Sequence, residues 1–144
     1  MNRLEVETCL RQKGLRVTTQ RVAVLEYLAS TPRHPTAEDT SRAVNRALPT
    51  ASRASVYNVL HSLRRAGLIR ELVFDDAVTR YDANGEKHHH FVCRCCGAVE
   101  DVEWEMLPAA PRRHLPDGRT VEAWAVTLRG LCPPCARRER SATT

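Results

Sequence analysis

The sequence predicts an α+β chain of two small domains: an N-terminal winged helix-turn-helix and a compact C-terminal α/β domain held by paired cysteines. Three observations carry this. Helical apolar spacing, broken by caps and prolines, fills the first part; two short strand patterns follow directly; and two Cys-x-x-Cys pairs occupy the remainder.

The first helix expected spans Thr19 to Ala29, where Val22, Leu25, Leu28 and Ala29 recur at helical spacing and Thr18 or Thr19 can cap. Thr31-Pro32-Arg33-His34-Pro35 breaks it. Thr36-Ala37-Glu38-Asp39 resembles a capping box with aspartate in the glutamate position, so a second helix should run to about Ala47, ahead of Pro49. Ser52 can cap a third, with Val56, Leu60 and Leu63 on its inner face and Gly67 as its C-terminal stop. Its outer face shows Arg53, Tyr57, Asn58, His61, Arg64 and Arg65. Leu68 to Phe74 and Val78 to Asp82 then read as a hairpin around Asp75-Asp76-Ala77, which supplies the wing.

Residues 1–82 form the expected first domain and the polar run 83–87 a linker, leaving 88–144 for the second domain. In the second, His88 to Cys93 and Ala98 to Glu103 alternate like strands around Cys96-Gly97, and Thr120 to Arg129 is a third strand candidate. Pro108, Pro111 and Pro116 leave little room for a long helix between them. Arg137 to Thr144 reads as a fraying tail.

Composition narrows the class. No run of about 18 apolar residues exists, which excludes a spanning helix, and Met1 to Gln20 lacks the apolar block of an export signal, so a cytosolic chain is expected. The net charge of +5 is concentrated in Met1 to Asp82, with 13 Lys and Arg against 9 Asp and Glu, as a nucleic-acid footprint requires.

Six cysteines in a cytosolic chain point to metal ligation more than to disulfides. Cys93-x-x-Cys96 and Cys132-x-x-Cys135 each form a knuckle in which two thiolates converge, and together they make a tetrahedral sulfur site suited to structural Zn²⁺ or to iron. A redox-active pair would need a thioredoxin-like βαβ setting that the pattern lacks. Cys9 and Cys95 are bystanders in this arrangement, although Cys95 could replace Cys96 in its knuckle.

If His88 to Val92 is a strand, His88 and His90 project to one face about 7 Å apart, and His89 and Cys93 to the other. One face then feeds a histidine-rich site, the other the thiolate site.

Taken in order, His34-Pro35-Thr36-Ala37-Glu38-Asp39, Ser55-Val56-Tyr57-Asn58-Val59-Leu60, Arg80-Tyr81-Asp82, His88-His89-His90-Phe91-Val92-Cys93, Cys96-Gly97 and Cys132-Pro133-Pro134-Cys135 resemble the ferric uptake regulator family from about Leu15 to Cys135. The resemblance implies a homodimer with an N-terminal winged helix and a C-terminal α/β dimerisation domain, repressing genes from operator DNA when a regulatory metal is bound. By that resemblance His34, Asp82, His88, His90 and Asp101 look like the regulatory site of peroxide-sensing members, with aspartate at Asp82 and Asp101 where iron sensors commonly carry glutamate. Imidazole and carboxylate ligation without thiolate suits Fe²⁺ or Mn²⁺. His34 and His88 are the implied targets of peroxide oxidation. A further metal site of many relatives is incomplete, because Lys87 and Trp124 stand where histidines are expected, and the proline-rich stretch Met106 to Pro116 replaces a helix usual in relatives.

In such a regulator the third helix enters the major groove, with Tyr57 and Asn58 nearest the bases and Arg53, Ser55, Arg64 and Arg65 completing the DNA contacts. The rival expectations are a sensor of iron, manganese or zinc availability on the same residues, a non-haem iron enzyme using His88, His90 and a carboxylate, and a zinc-ribbon interaction module.

Overall fold

The computed structural model describes residues 1–74, 76–107 and 110–143. The chain divides into two compact units, Met1–Gly85 and Glu86–Thr144, each with its own buried cluster.

The first unit contains α1 (Arg3–Gln12), α2 (Thr19–Ser30), α3 (Ala37–Ala47), α4 (Arg53–Arg65), β1 (Arg70–Val73) and β2 (Thr79–Asp82). Each expected helix starts where a hydroxyl can take an orphan amide: Thr18 accepts from Arg21, Thr36 from Asp39 and Ser52 from Ser55. In α3 the Asp39 carboxylate returns the bond to the Thr36 amide, which closes the capping box. Gly67 ends α4 at φ +75°, a backbone state that suits glycine, and the Leu68 amide reaches back to the Leu63 carbonyl at 3.0 Å. Val22, Leu25, Leu28, Val44, Val56, Leu60 and Leu63 fill the space between the helices. Each such buried side chain contributes on the order of 1.5–3 kcal/mol.

Helix α1 lies outside the expected pattern. Asn2 and Glu5 form its capping box, and it contributes Val6 and Leu10, both fully buried. Two apolar residues one turn apart among charged ones are too few for a periodicity to register.

The wing is shorter than its apolar runs suggest, because residues after Gly67 still close α4 and the ladder begins at Arg70↔Asp82. Ala77 turns the hairpin at φ +57°; Asp75, assigned to the same turn, lies outside the described residues. Segment 34–36 adds to β2, with a bridge between Thr36 and Arg80 and the Tyr81 amide donating to the Pro35 carbonyl at 2.9 Å. Helices α3 and α4, the turn between them and the β1–β2 wing make this unit a winged helix-turn-helix.

The second unit is a three-stranded sheet in the order β4-β3-β5, from β3 (His88–Cys93), β4 (Val99–Glu103) and β5 (Thr127–Gly130). β3 pairs antiparallel with β4 and parallel with β5. Two expectations are corrected here. The strand proposed over Thr120 to Arg129 is confined to Thr127–Gly130, which pairs with β3 from His90 to Cys93, while the Val126 amide just before it donates to the His89 ring. Of the tail expected to fray, Arg137 to Thr144, the part up to Ala142 is helical: it belongs to α5 (Pro133–Ala142), which starts on two prolines that need no amide partner in a first turn. Thr144, Pro108 and Ala109 lie outside the described residues. Among the described residues of 106–116 there is no long helix; a single 3₁₀ turn, Trp104–Met106, follows β4.

Candidate metal centres and nucleic-acid face

The two cysteine knuckles meet at the end of β3. The Sγ atoms of Cys93, Cys96, Cys132 and Cys135 all lie within 4.8 Å of one another. Gly97, at φ +73°, donates its amide to the Cys93 carbonyl at 3.0 Å, which folds the first knuckle. Cys132 caps α5, and its own amide donates to Cys93 Sγ at 3.4 Å. Cys93 is pushed down to about 6 by the Cys132 amide first, then by the amides of Cys96 and Cys95. Amide donors aimed at sulfur favour the thiolate, the form that binds metal. Four convergent sulfurs, three of them buried, match the tetrahedral demand of zinc. Cys95 is exposed, and Cys9 sits on α1 in the other unit.

In the first unit, His34 and Asp82 come together. Pairing of segment 34–36 with β2 holds His34 Nδ1 3.9 Å from Asp82 Oδ1, and both side chains are buried. Arg70, opposite Asp82 in the β1–β2 register, holds Oδ2 at 3.1 Å, and the Asn84 amide donates to Oδ1 at 2.8 Å. Both carboxylate oxygens are thereby held by donors.

In the second unit, His88, His90 and Asp101 converge on one sheet face. His88 Nδ1 stands 2.7 Å from the Glu86 carbonyl, which can only accept, so Nδ1 carries the proton and Nε2 presents its lone pair. That Nε2 is 3.1 Å from His90 Nε2 and 3.4 Å from Asp101 Oδ1, and His90 pairs with Asp101 across the β3–β4 ladder. Two buried imidazole nitrogens and a carboxylate oxygen in such proximity are a donor set for a borderline or hard cation.

His89 points to the opposite face and differs in kind. Its Nδ1 accepts from the Val126 amide at 3.1 Å, so the proton is on Nε2 and no lone pair remains for a metal. The ring is fully buried, stacked on Trp104 at 4.4 Å and tilted against Trp124 at 5.2 Å, with Lys87 Nζ 5.7 Å above Trp104. Lys87 and Trp124, the two positions where the resemblance led one to expect histidines, thus both belong to this aromatic stack. Neither tryptophan could be assigned to His89 from sequence, because each arrives from a different segment.

Helix α4 presents the expected polar face. Arg53, Tyr57, Asn58, Arg64 and Arg65 are exposed and Ser55 is partly so; Tyr57, at 42% exposure, is no core aromatic. Arg53 covers the Tyr57 ring at 5.8 Å, whereas Arg64 is paired with Glu71 of the wing at 3.3 Å. A cleft of 230 Å³ beside this face adds residues that periodicity did not single out: Arg16, Gln20 and Arg21 line it with Ser55 and Asn58. Arg21 is fixed there by the Arg16 carbonyl at 2.8 Å.

The ferric uptake regulator family profile matches residues 12–126. The peroxide operon regulator of Bacillus subtilis (strain 168) is 36% identical over 132 residues, 90% of each chain. Among solved structures, PerR from Streptococcus pyogenes, described with peroxide sensing and gene regulation, is 32% identical with a TM-score of 0.52 over 92% of both chains. A zinc-bound manganese uptake regulator, 24% identical, shares the fold with a TM-score of 0.72 over 88% of this chain and 98% of that one.

Proposed function

The chain belongs to the ferric uptake regulator family, and from that premise we propose that it is a cytoplasmic, metal-dependent transcriptional repressor, binding operator DNA as a homodimer and released by peroxide. Residues 1–82 are the DNA-binding domain, 83–87 the linker and 88–144 the dimerisation and metal-binding domain. Cys93, Cys96, Cys132 and Cys135 hold structural zinc. Regulation, not turnover, is the task.

The observation that carries the peroxide assignment is the donor chemistry: buried imidazoles with two carboxylates, Asp82 buried and Asp101 exposed, and no thiolate. Neither unit offers a full shell by itself. His34 and Asp82 supply two donors and His88, His90 and Asp101 three; all five are assigned to one Fe²⁺ or Mn²⁺ ion. Metal uptake would then fix the two domains of each subunit and so the spacing of the two recognition helices in a dimer, which must match both operator half-sites. Tyr57 and Asn58 face base edges, while Arg53, Ser55, Arg64 and Arg65 contact phosphates, aided by Arg16 and Arg21.

Held by these residues, ferrous iron would supply the one-electron chemistry that activates peroxide, while the net loss of two electrons falls on a ligand imidazole. One peroxide oxygen is added to the imidazole carbon of His34 or His88, and the other leaves as water. An oxidised imidazole is a poor ligand, so the domains are no longer held. Mn²⁺ supports repression without this sensitivity. Operator binding titrated against iron, manganese and zinc, each with and without peroxide, tests the function. Loss of binding on peroxide treatment only of the iron form is expected; equal reversal by chelation with no peroxide effect would make the protein a sensor of metal availability.

A further inference from the structure

The thiolate cluster has a cation beside it. Arg138 of α5 directs Nη2 to Cys135 Sγ at 3.1 Å, from a position one helical turn further along the same face. Cys135 is buried, so the guanidinium comes from the exposed side of the helix and covers the sulfur it reaches. The neighbouring Glu139 is held through both carboxylate oxygens, at 3.1 Å each, by Arg94 of the first knuckle. One arginine thus ties α5 to the first cysteine pair, and another is spent on a sulfur of the second.

Sulfur is a poor hydrogen-bond partner, and an exposed arginine gains little by choosing one unless that sulfur is anionic. Four thiolates around a divalent cation carry a surplus of about two negative charges, which makes each sulfur basic and nucleophilic. A guanidinium donating to one of them withdraws electron density and offsets part of the surplus.

We propose that Arg138 is a shielding and positioning residue for Cys135, lowering the reactivity of the zinc-binding thiolates toward peroxide so that the structural site outlasts the sensing event. The proposal rests on the zinc and peroxide assignments above. The reaction it suppresses balances as follows. Cys135 Sγ attacks peroxide, an S–O bond forms, the O–O bond breaks and hydroxide leaves. A neighbouring thiolate, Cys132, then attacks that sulfur, an S–S bond forms and a second hydroxide leaves. Two thiolates lose two electrons, peroxide and two protons become two waters, and zinc loses two donors.

The test uses full-length, zinc-loaded, iron-free protein, in which histidine oxidation is silent, with hydrogen peroxide as the probe. Zinc release is followed with a chromogenic chelator, and Cys132 and Cys135 oxidation by peptide mass. Arg138→Gln is expected to release zinc about tenfold faster than wild type, the scale of one lost charge-assisted hydrogen bond. Arg138→Lys keeps the charge and should fall between the two, giving the same comparison by itself should the glutamine variant fold poorly. Arg137→Gln removes the same charge from an exposed neighbour on α5 and should match wild type. Equal rates in wild type and the Arg138 variants, or equal acceleration by Arg137→Gln, would overturn the shielding role and leave the zinc assignment standing. Wild-type protein without zinc would overturn both.

Discussion

At His88 the protonation of one nitrogen determines what the other can do. The Glu86 carbonyl fixes the proton on Nδ1 and turns the Nε2 lone pair toward His90 and Asp101. One residue along, the Val126 amide takes the Nδ1 lone pair of His89 and removes that ring from metal chemistry. His88→Ala is expected to abolish iron- and manganese-dependent operator binding while zinc content stays at the wild-type level, checked by metal analysis beside DNA binding. Loss of zinc together with the regulatory metal would argue against separate sites. This division was legible in the sequence, because strand alternation alone puts His88 and His90 on one face and His89 on the other. What His89 does there was not, since its indole partners are 15 and 35 positions away in the chain.

Among the elements, those with strong local signals were read closely and those without were missed. Thr18, Thr36 and Ser52 marked the starts of α2, α3 and α4, because a hydroxyl followed by amphipathic spacing has few other uses. Helix α1 offers only Val6 and Leu10 to a core, and α5 is polar almost throughout, anchored by Cys135 and its arginines. Neither kind of anchor produces a period. Thr36→Ala should cost about 1 kcal/mol in denaturant unfolding, since it removes one capping box. The Thr36 amide, ahead of the Thr36 hydroxyl and Arg42, holds the Asp39 carboxyl below the usual aspartate range. The contribution of that carboxylate is therefore fully present above the ordinary aspartate value and lost only as pH falls through the depressed one. The Thr36→Ala penalty should shrink in strong acid and be constant near neutrality. On α4, Asn58→Ala should cost about 1–3 kcal/mol for operator and little for random DNA, whereas Arg65→Ala should weaken both and reduce the salt slope by about 1. Salt-titrated binding to the two DNAs separates these outcomes.

At the scale of the whole molecule, the two units depend on different forces. The first has an apolar cluster running from Val6 to Ile69; among the described residues of the second, the buried side chains are Val99, Cys93, Cys132, Cys135 and the three histidines of β3, with Phe91, Ala98 and Leu131 packed against the cysteines. A unit that small needs a staple, and structural zinc typically supplies one. Stripping zinc with a strong chelator should unfold the second unit and abolish dimer formation while the helical signal of the first persists, followed by circular dichroism and sedimentation. The paired cysteines and the winged helix could be read directly because their spacings are local. Which donors share one ion was supplied by the family resemblance alone, since His34 and Asp101 are far apart in the chain. The most direct measurement is the peptide mass of iron-loaded protein after brief peroxide treatment, with a manganese-loaded control. One added oxygen on the His34 or His88 peptide of the iron form, in step with loss of operator binding, is expected. Release from DNA with both peptides unmodified would contradict peroxide sensing through histidine.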